Sequence, residues 1–254
     1  MMLAQFRMPA LAVTIGVAAA VAPVLSLVAP AQAAPAGHGG SALAGAHARE
    51  VSVTTSDHFA GYQANVAAGS ATSSAGQYKV PKLSCTSATR AITPVAGVVV
   101  NKVPTYSAAF LFAGCVSGKA LYFPALVING TETNYTTTHL AAGDAIKVST
   151  KLTTMRTTVQ VTDVTKAITK KLTGPGASPN AAYIADSAWY INRSPVGVPK
   201  FGTLTFTHCA VDGKTLASAH PTKVERVNSR NVVQITTGAL SRAGTTFATH
   251  FKHS

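Results

Sequence analysis

The chain has 254 residues, is 47% hydrophobic and only 11% charged, and sets 21 Lys and Arg against 8 Asp and Glu for a net charge of +13. That balance steers it towards anionic partners. The bases are scattered, and no recognition helix, finger or aromatic platform accompanies them, which argues against nucleic acid as the partner. Three Glu and five Asp in the whole chain argue against a paired-carboxylate glycosidase. There is no Cys-x-x-Cys and no His-Glu-x-x-His, so no metal is expected and no cofactor is implied; Ser and His are plentiful enough for a Ser-His-Asp triad, but no Gly-x-Ser-x-Gly elbow marks one.

Residues 1–33 read as a secretory signal: Arg7 in a positive start, an apolar run from Ala10 to Val28 broken by Pro23, and Ala31-Gln32-Ala33 as a small-x-small cleavage site. The rival reading is a membrane anchor, since the run is about 19 residues long. Removing the segment takes Arg7 with it and leaves a charge of +12. Residues 34–50 are small and polar and read as a flexible leader. The remainder, 51–254, suits one all-β domain that buries roughly 70% of its unfolded surface. No later segment is apolar enough to span a membrane, so no stable insertion is expected after cleavage.

After residue 50 the helical period is almost absent. Runs rich in Val, Thr, Ile, Phe and Tyr predict strands over 59–66, 75–81, 95–100, 107–114, 120–128, 145–152, 156–163, 181–191, 202–208, 231–236 and 245–251. Turns are expected at Asn129-Gly130, Ala142-Gly143-Asp144, Gly174-Pro175-Gly176 and Asp212-Gly213, where Gly, Asn and Asp tolerate positive φ. Lys166 to Leu172 reads as an edge strand in preference to one helical turn. Glu132 reads as a surface charge in a loop. Many short strands at this spacing make an antiparallel two-sheet sandwich. Export permits disulfides, and three Cys allow one bridge and leave one thiol. His250 and His253 read as part of a disordered tail. Asn129, Asn134 and Asn192 begin glycosylation sequons to which no role is given.

Three segments in order carry a resemblance. The first is His58-Phe-Ala-Gly-Tyr62 followed by Ala75-Gly-Gln-Tyr-Lys-Val-Pro81. The second is Ala142-Gly-Asp-Ala-Ile-Lys-Val148. The third is Ser187-Ala-Trp-Tyr-Ile-Asn-Arg-Ser-Pro195 followed by Phe201-Gly-Thr-Leu-Thr-Phe206. Together they resemble the eqolisins, the glutamic peptidases, and the exported bacterial members most. The resemblance implies a concanavalin-like (lectin-like) jelly roll of two curved sheets. It also implies a Cys85–Cys115 bridge, which leaves Cys209 as a buried thiol or an intermolecular contact. The family's chemistry needs a Glu as general base and acid, and a Gln amide that polarises the scissile carbonyl.

Both demands fail here. The family Gln position falls near Phe112, and Gln is absent from Lys79 through Val159. The family Glu position falls at Trp189, or at Ala188 if the register moves by one, and no Glu occurs between Thr133 and Val224. Phe59 stands where the family has Trp in the first segment, and of its aromatic and acidic signature after the Gln strand only Tyr122 persists. Asp186 is the one substitute acid within reach. It shares a strand face with Ala188 but not with Trp189, because side chains alternate; the plainer reading is a solvated edge residue. Trp189, Tyr122, Phe112 and Phe59 are the binding candidates, with Phe123 and Tyr190 near them, since aromatic faces suit sugar rings, apolar side chains or cations. The rival reading has these rings filling the core. The expectation is therefore an exported, non-hydrolytic binder of peptide, glycan or anionic cell-envelope polymer. Its rivals are an acid-active endopeptidase with a relocated acid and a structural envelope protein.

Overall fold

The computed structural model describes residues 53–67, 70, 72–100, 105–191 and 194–254. The signal and leader expectations for 1–33 and 34–50, and Asn192, lie outside the described residues.

The described chain is strand after strand: β1 (Val53–Ser56), β2 (Phe59–Asn65), β3 (Thr72–Lys79), β4 (Arg90–Val100), β5 (Thr105–Val116), β6 (Lys119–Ile128), β7 (Thr131–Asn134), β8 (Ala145–Leu152), β9 (Arg156–Asp163), β10 (Ile168–Pro175), β11 (Pro179–Ala188), the short pair β12 (Tyr190–Ile191) and β13 (Ser194–Pro195), β14 (Thr203–Val211), β15 (Lys214–Thr215), β16 (Thr222–Val227), β17 (Val233–Thr237) and β18 (Phe247–Phe251). One turn of 3-10 helix, Leu216–Ala219, interrupts them. Each of the eleven expected strands is present, with ends shifted by a few residues. The run 181–191 stops at Ala188 and resumes at Tyr190.

The strand order is β10-β9-β8-β3-β14-β18-β17-β16-β2-β11-β4-β5-β6-β7, nearly all antiparallel. β14 is the joint. Its first half, Thr203 to Phe206, pairs with β18, and its second half pairs with β3. The ladder thereby folds into two layers, the smaller layer β10-β9-β8-β3 lying over β11-β4-β5-β6. Serine, threonine and tyrosine hydroxyls pin the layers together: Ser74 Oγ donates to Gly97 O at 3.0 Å, Thr150 Oγ1 to Ala96 O at 2.8 Å, and Tyr78 OH to Pro94 O at 3.1 Å. Such hydroxyls satisfy themselves on backbone carbonyls, so they are buried at little cost.

Strands at the rim alternate, as one-faced burial requires: β9 has Thr157, Val159, Val161 and Asp163 buried between half-exposed neighbours. Central strands are apolar on both faces. In β11, Ala182 and Ile184 join the inter-layer core with Leu111, Leu126 and Ile146. Tyr183 and Ala185 join a second cluster on the opposite face with Val95, Phe110, Phe112, Phe123 and Trp189.

Asn129-Gly130 and Asp212-Gly213 form the expected tight turns, with φ of 49° and 79° and of 53° and 73°. Ser117-Gly118 is a third, with φ of 50° and 77°, which turn chemistry could have marked. Three expectations are corrected. Gly174 and Pro175 lie inside β10, paired with Thr157 and Arg156, because β10 has only one partner and a proline is tolerated on such an edge. Glu132 is in β7, paired with Val127, where one more edge strand covers β6. His250 is part of β18 and bonds Thr203 Oγ1 through Nδ1 at 3.0 Å. Cys85 and Cys115 are disulfide-bonded, and Cys209 is a buried free thiol that burial pushes up to about 12.

Candidate functional site

Rows of residues run across the large layer in register. Ala188 lies opposite Ile92, Ile92 opposite Ala113, and Ala113 opposite Tyr122. Ile92 and Ala113 belong to the inter-layer core, so Ala188 is on the inner face. Trp189 belongs to the cluster on the outer face. The two alternatives for the family's acid thus fall on opposite faces of one sheet. On the outer face, Trp189 stands edge-on to Phe112 with ring centroids 5.0 Å apart, and Phe112 stacks on Phe123 at 4.6 Å. Phe112 is 5% and Trp189 9% exposed, so these rings pack on one another. Phe59 lies 5.9 Å from Tyr183. Tyr122 is on the other face, half-buried, its hydroxyl donating to Pro81 O at 3.0 Å. The four binding candidates therefore do not form one platform.

One amide and one carboxylate do share a row on the outer face. Gln63 is opposite Tyr183, Tyr183 opposite Gly97, Gly97 opposite Ala108, Ala108 opposite Val127 and Val127 opposite Glu132. Five inter-strand steps of about 4.8 Å separate them by about 24 Å along the sheet, far beyond a shared water.

Asp186 is not a solvated edge residue. It lies on a central strand between Ala60 and Pro94 and has no exposed surface. It does share the inner face with Ala188. Thr249 Oγ1 donates to its Oδ2, while Oδ1 has no partner among the described residues. Burial raises its pKa to about 7, against the lowering effects of the Thr249 bond and the Arg226 charge. Arg226 is itself buried; Nη2 donates to Val196 O at 3.2 Å, and Nε and Nη1 lack partners among the described residues. Burial brings this guanidinium down to about 10. Both groups are enclosed in the protein and closed to a substrate.

A chain of polar contacts at the rim has no counterpart in the sequence reading. Tyr190 OH meets His58 Nδ1, and His58 Nε2 lies 3.3 Å from Asp57 Oδ1. Burial raises the Tyr190 phenol to about 12, so it stays protonated. The first and third sequence segments meet here, since Ala188 N–H also donates to the His58 carbonyl. Only strand pairing across 130 residues brings them together. The second segment makes a different contact: Asp144 accepts from Ala141 N–H and from Lys166 Nζ at 2.6 Å. Burial would raise its pKa, but these two bonds outweigh it and lower the pKa below the usual value. That segment is a structural turn remote from the outer face.

Among the described residues no group of His, Cys, Asp and Glu is placed to hold a metal ion. Among the described residues no helix is long and apolar enough to cross a membrane.

Residues 57–249 match the model of the Peptidase A4 family. No curated protein matches the chain. Among solved structures, the fold is similar to scytalido-glutamic peptidase bound to a transition-state analogue inhibitor, at a TM-score of 0.65 and 15% identity, covering 77% of this chain and 98% of that one. It is also similar to SCP-B, an eqolisin in complex with a tripeptide, at 0.61 and 16%, covering 77% and 98%. Aspergilloglutamic peptidase from Aspergillus niger gives 0.54 and 17%, covering 64% and 99%.

Proposed function

The chain belongs to the peptidase A4 family, the glutamic peptidases or eqolisins, and from that premise we propose that it is an exported member that binds without hydrolysing. Its ligand is a peptide, a glycan or an anionic cell-envelope polymer. One observation carries the reading: at both registers of the family's acid the sheet presents an apolar group, Ala188 inside and Trp189 against Phe112 outside. Hydrolysis by this family needs a carboxylate to take a proton from water and an amide to hold the oxyanion. Neither an indole nor a methyl can do the first, and a phenyl ring cannot do the second. The Gln and Glu that the outer face retains are too far apart to cooperate. Asp186, the substitute acid, is enclosed between the layers. The excess of basic groups supports an anionic ligand, and the bridged Cys85 and Cys115 suit an oxidising compartment.

The test is a protease assay on denatured protein substrate between about pH 2 and pH 5, the range in which a carboxyl of ordinary pKa is protonated or ionised. The expected outcome is no cleavage above the buffer blank. Robust cleavage would overturn the proposal. If it then survived Asp186→Ala, the buried carboxyl would be excluded as its source too.

A further inference from the structure

The joint between the two layers contains an opening that the family's chemistry does not use. Gln77 of β3 is paired with Thr207 of β14. Seven residues further along one segment and seven back along the other, Ser84 is bridged to Lys200, with Ser84 N–H donating to Lys200 O at 2.9 Å. The two pairings share one antiparallel count. Between them, residues 78–83 and 201–206 are not paired with each other. The segments part and close again, like the sides of an eye.

The parting has a cause in the ladder. Val80 N–H donates to Asp144 O, and Tyr78 is paired with Ile146, so even-numbered residues of this segment bond towards β8. Lys79, between them, turns its N–H and C=O towards β14 by alternation. At Ser84 it is an even-numbered residue that bonds Lys200. The strand therefore changes phase between residues 80 and 84, where Pro81 offers no N–H. On the other lip, Phe251 N–H donates to Gly202 O, and Leu204 and Phe206 continue that phase with β18. Thr203 and Thr205 thus turn their N–H and C=O towards the gap. Lys79 and Thr205 are opposite one another in the shared count.

A cavity of about 700 Å³ occupies the parting, bordered by Gln77 to Lys82, by Gly143 and Ile146 of the neighbouring turn, and by Thr203 and Thr205. That volume is typical of a ligand site. Tyr78, Val80, Ile146 and Leu204 on its border are buried core residues, whereas Lys79, Lys82, Thr203 and Thr205 are exposed. Two Lys and no carboxylate residue border the cavity. Nearby Asp144 is already held by Lys166.

We propose that this eye is a strand-insertion site for a short, extended, acidic peptide segment. One lip stands on each layer, and both turn N–H and C=O groups into the opening. One extended chain between the lips can therefore bond both, as in β-augmentation. A six-residue opening at about 3.3 Å per residue accepts four to six peptide residues. The Lys79 and Lys82 ammonium groups select for carboxylates on it. The site lies apart from the outer face and does not depend on whether that face hydrolyses anything.

The experiment is fluorescence anisotropy with a labelled pentapeptide alternating Val with Glu, against its Lys counterpart, with hydrogen exchange on the unmodified protein. Saturable binding of the acidic peptide is expected, with at least about tenfold weaker binding of the basic one. Thr205→Pro removes one gap-facing N–H and leaves the β18 ladder intact, and should weaken binding about tenfold. K79Q together with K82Q should weaken it several-fold and flatten its salt dependence. Slowed exchange should be confined to the amides of Lys79, Thr203 and Thr205. Absence of saturable binding, equal binding of the basic peptide, or protection confined to the outer face would each overturn the proposal. The exchange result decides the matter even if Thr205→Pro fails to fold.

Discussion

Asp186 shows how a single buried charge writes itself into the stability of this protein. Its carboxyl moves from 3.8 to about 7 on folding, burial being the larger cause. A carboxyl with a raised native pKa holds its proton more tightly when folded than when unfolded. The native state therefore binds more protons between about pH 4 and pH 7, and stability falls as pH rises through that window, by at most roughly 4 kcal/mol. Asp144 has the opposite sign: its pKa is lowered, so its contribution is present above 3.8 and is lost as pH falls through the lowered value. The melting temperature should accordingly be highest near pH 4 and decline towards pH 8. Asp186→Asn, which mimics the protonated carboxyl and can still accept from Thr249, should abolish the decline. Thermal melts at a series of pH values decide this, and a wild-type profile flat from pH 4 to pH 8 would contradict it. Neither the burial nor the shift was read from the sequence, where Asp186 follows Ala181-Ala-Tyr-Ile-Ala185 and precedes Ser187. What decided them was the position of β11 at the centre of its layer.

Among the elements, β2 explains why its Ala60-Gly61-Tyr62 core takes a glycine. Gly61 has φ of 154°, and a Cβ there would lie 2.4 Å from Ile184 O and 2.5 Å from Ala185 Cα on β11. The neighbouring backbone cannot yield as a flexible side chain could. Gly61→Ala should cost about 2–4 kcal/mol through strain and displacement of the β2–β11 ladder, read as a fall in the denaturant midpoint. An unchanged midpoint would show that the close approach is not required. The strands themselves were legible because β-branched and aromatic runs alternate or persist, and turns carry Gly with Asn or Asp. The strands absent from the sequence reading, such as β7 and β16, are polar or short. They are held by their neighbours' ladders more than by their own composition.

For the whole molecule, a net charge of +13 acts as a field more than as a set of contacts. Binding to purified cell wall should therefore weaken steeply between low and high salt, as screening shortens the reach of exposed charges. A pull-down across a salt series measures it, and salt-independent retention would contradict an electrostatic ligand. The eye at the joint belongs to this scale as well. It exists because β14 serves both layers and must leave β3 to reach β18.

Sequence alone determined the all-β class, the main strands and the family likeness, since these rest on local periodicity and on ordered short segments. It also placed no Gln in Ala109–Gly114 and no Glu in Ser187–Pro195, the segments that resemble the family's catalytic strands. Tertiary structure alone decided which face each remaining group occupies: Ala188 inward, Trp189 outward, Asp186 enclosed, and Gln63 and Glu132 in one row yet five strands apart along the sheet. It alone brought His58 to Tyr190 and parted residues 78–83 from 201–206. The physical reason is that strand pairing joins residues more than a hundred positions apart, and a shift of one residue in register reverses every face.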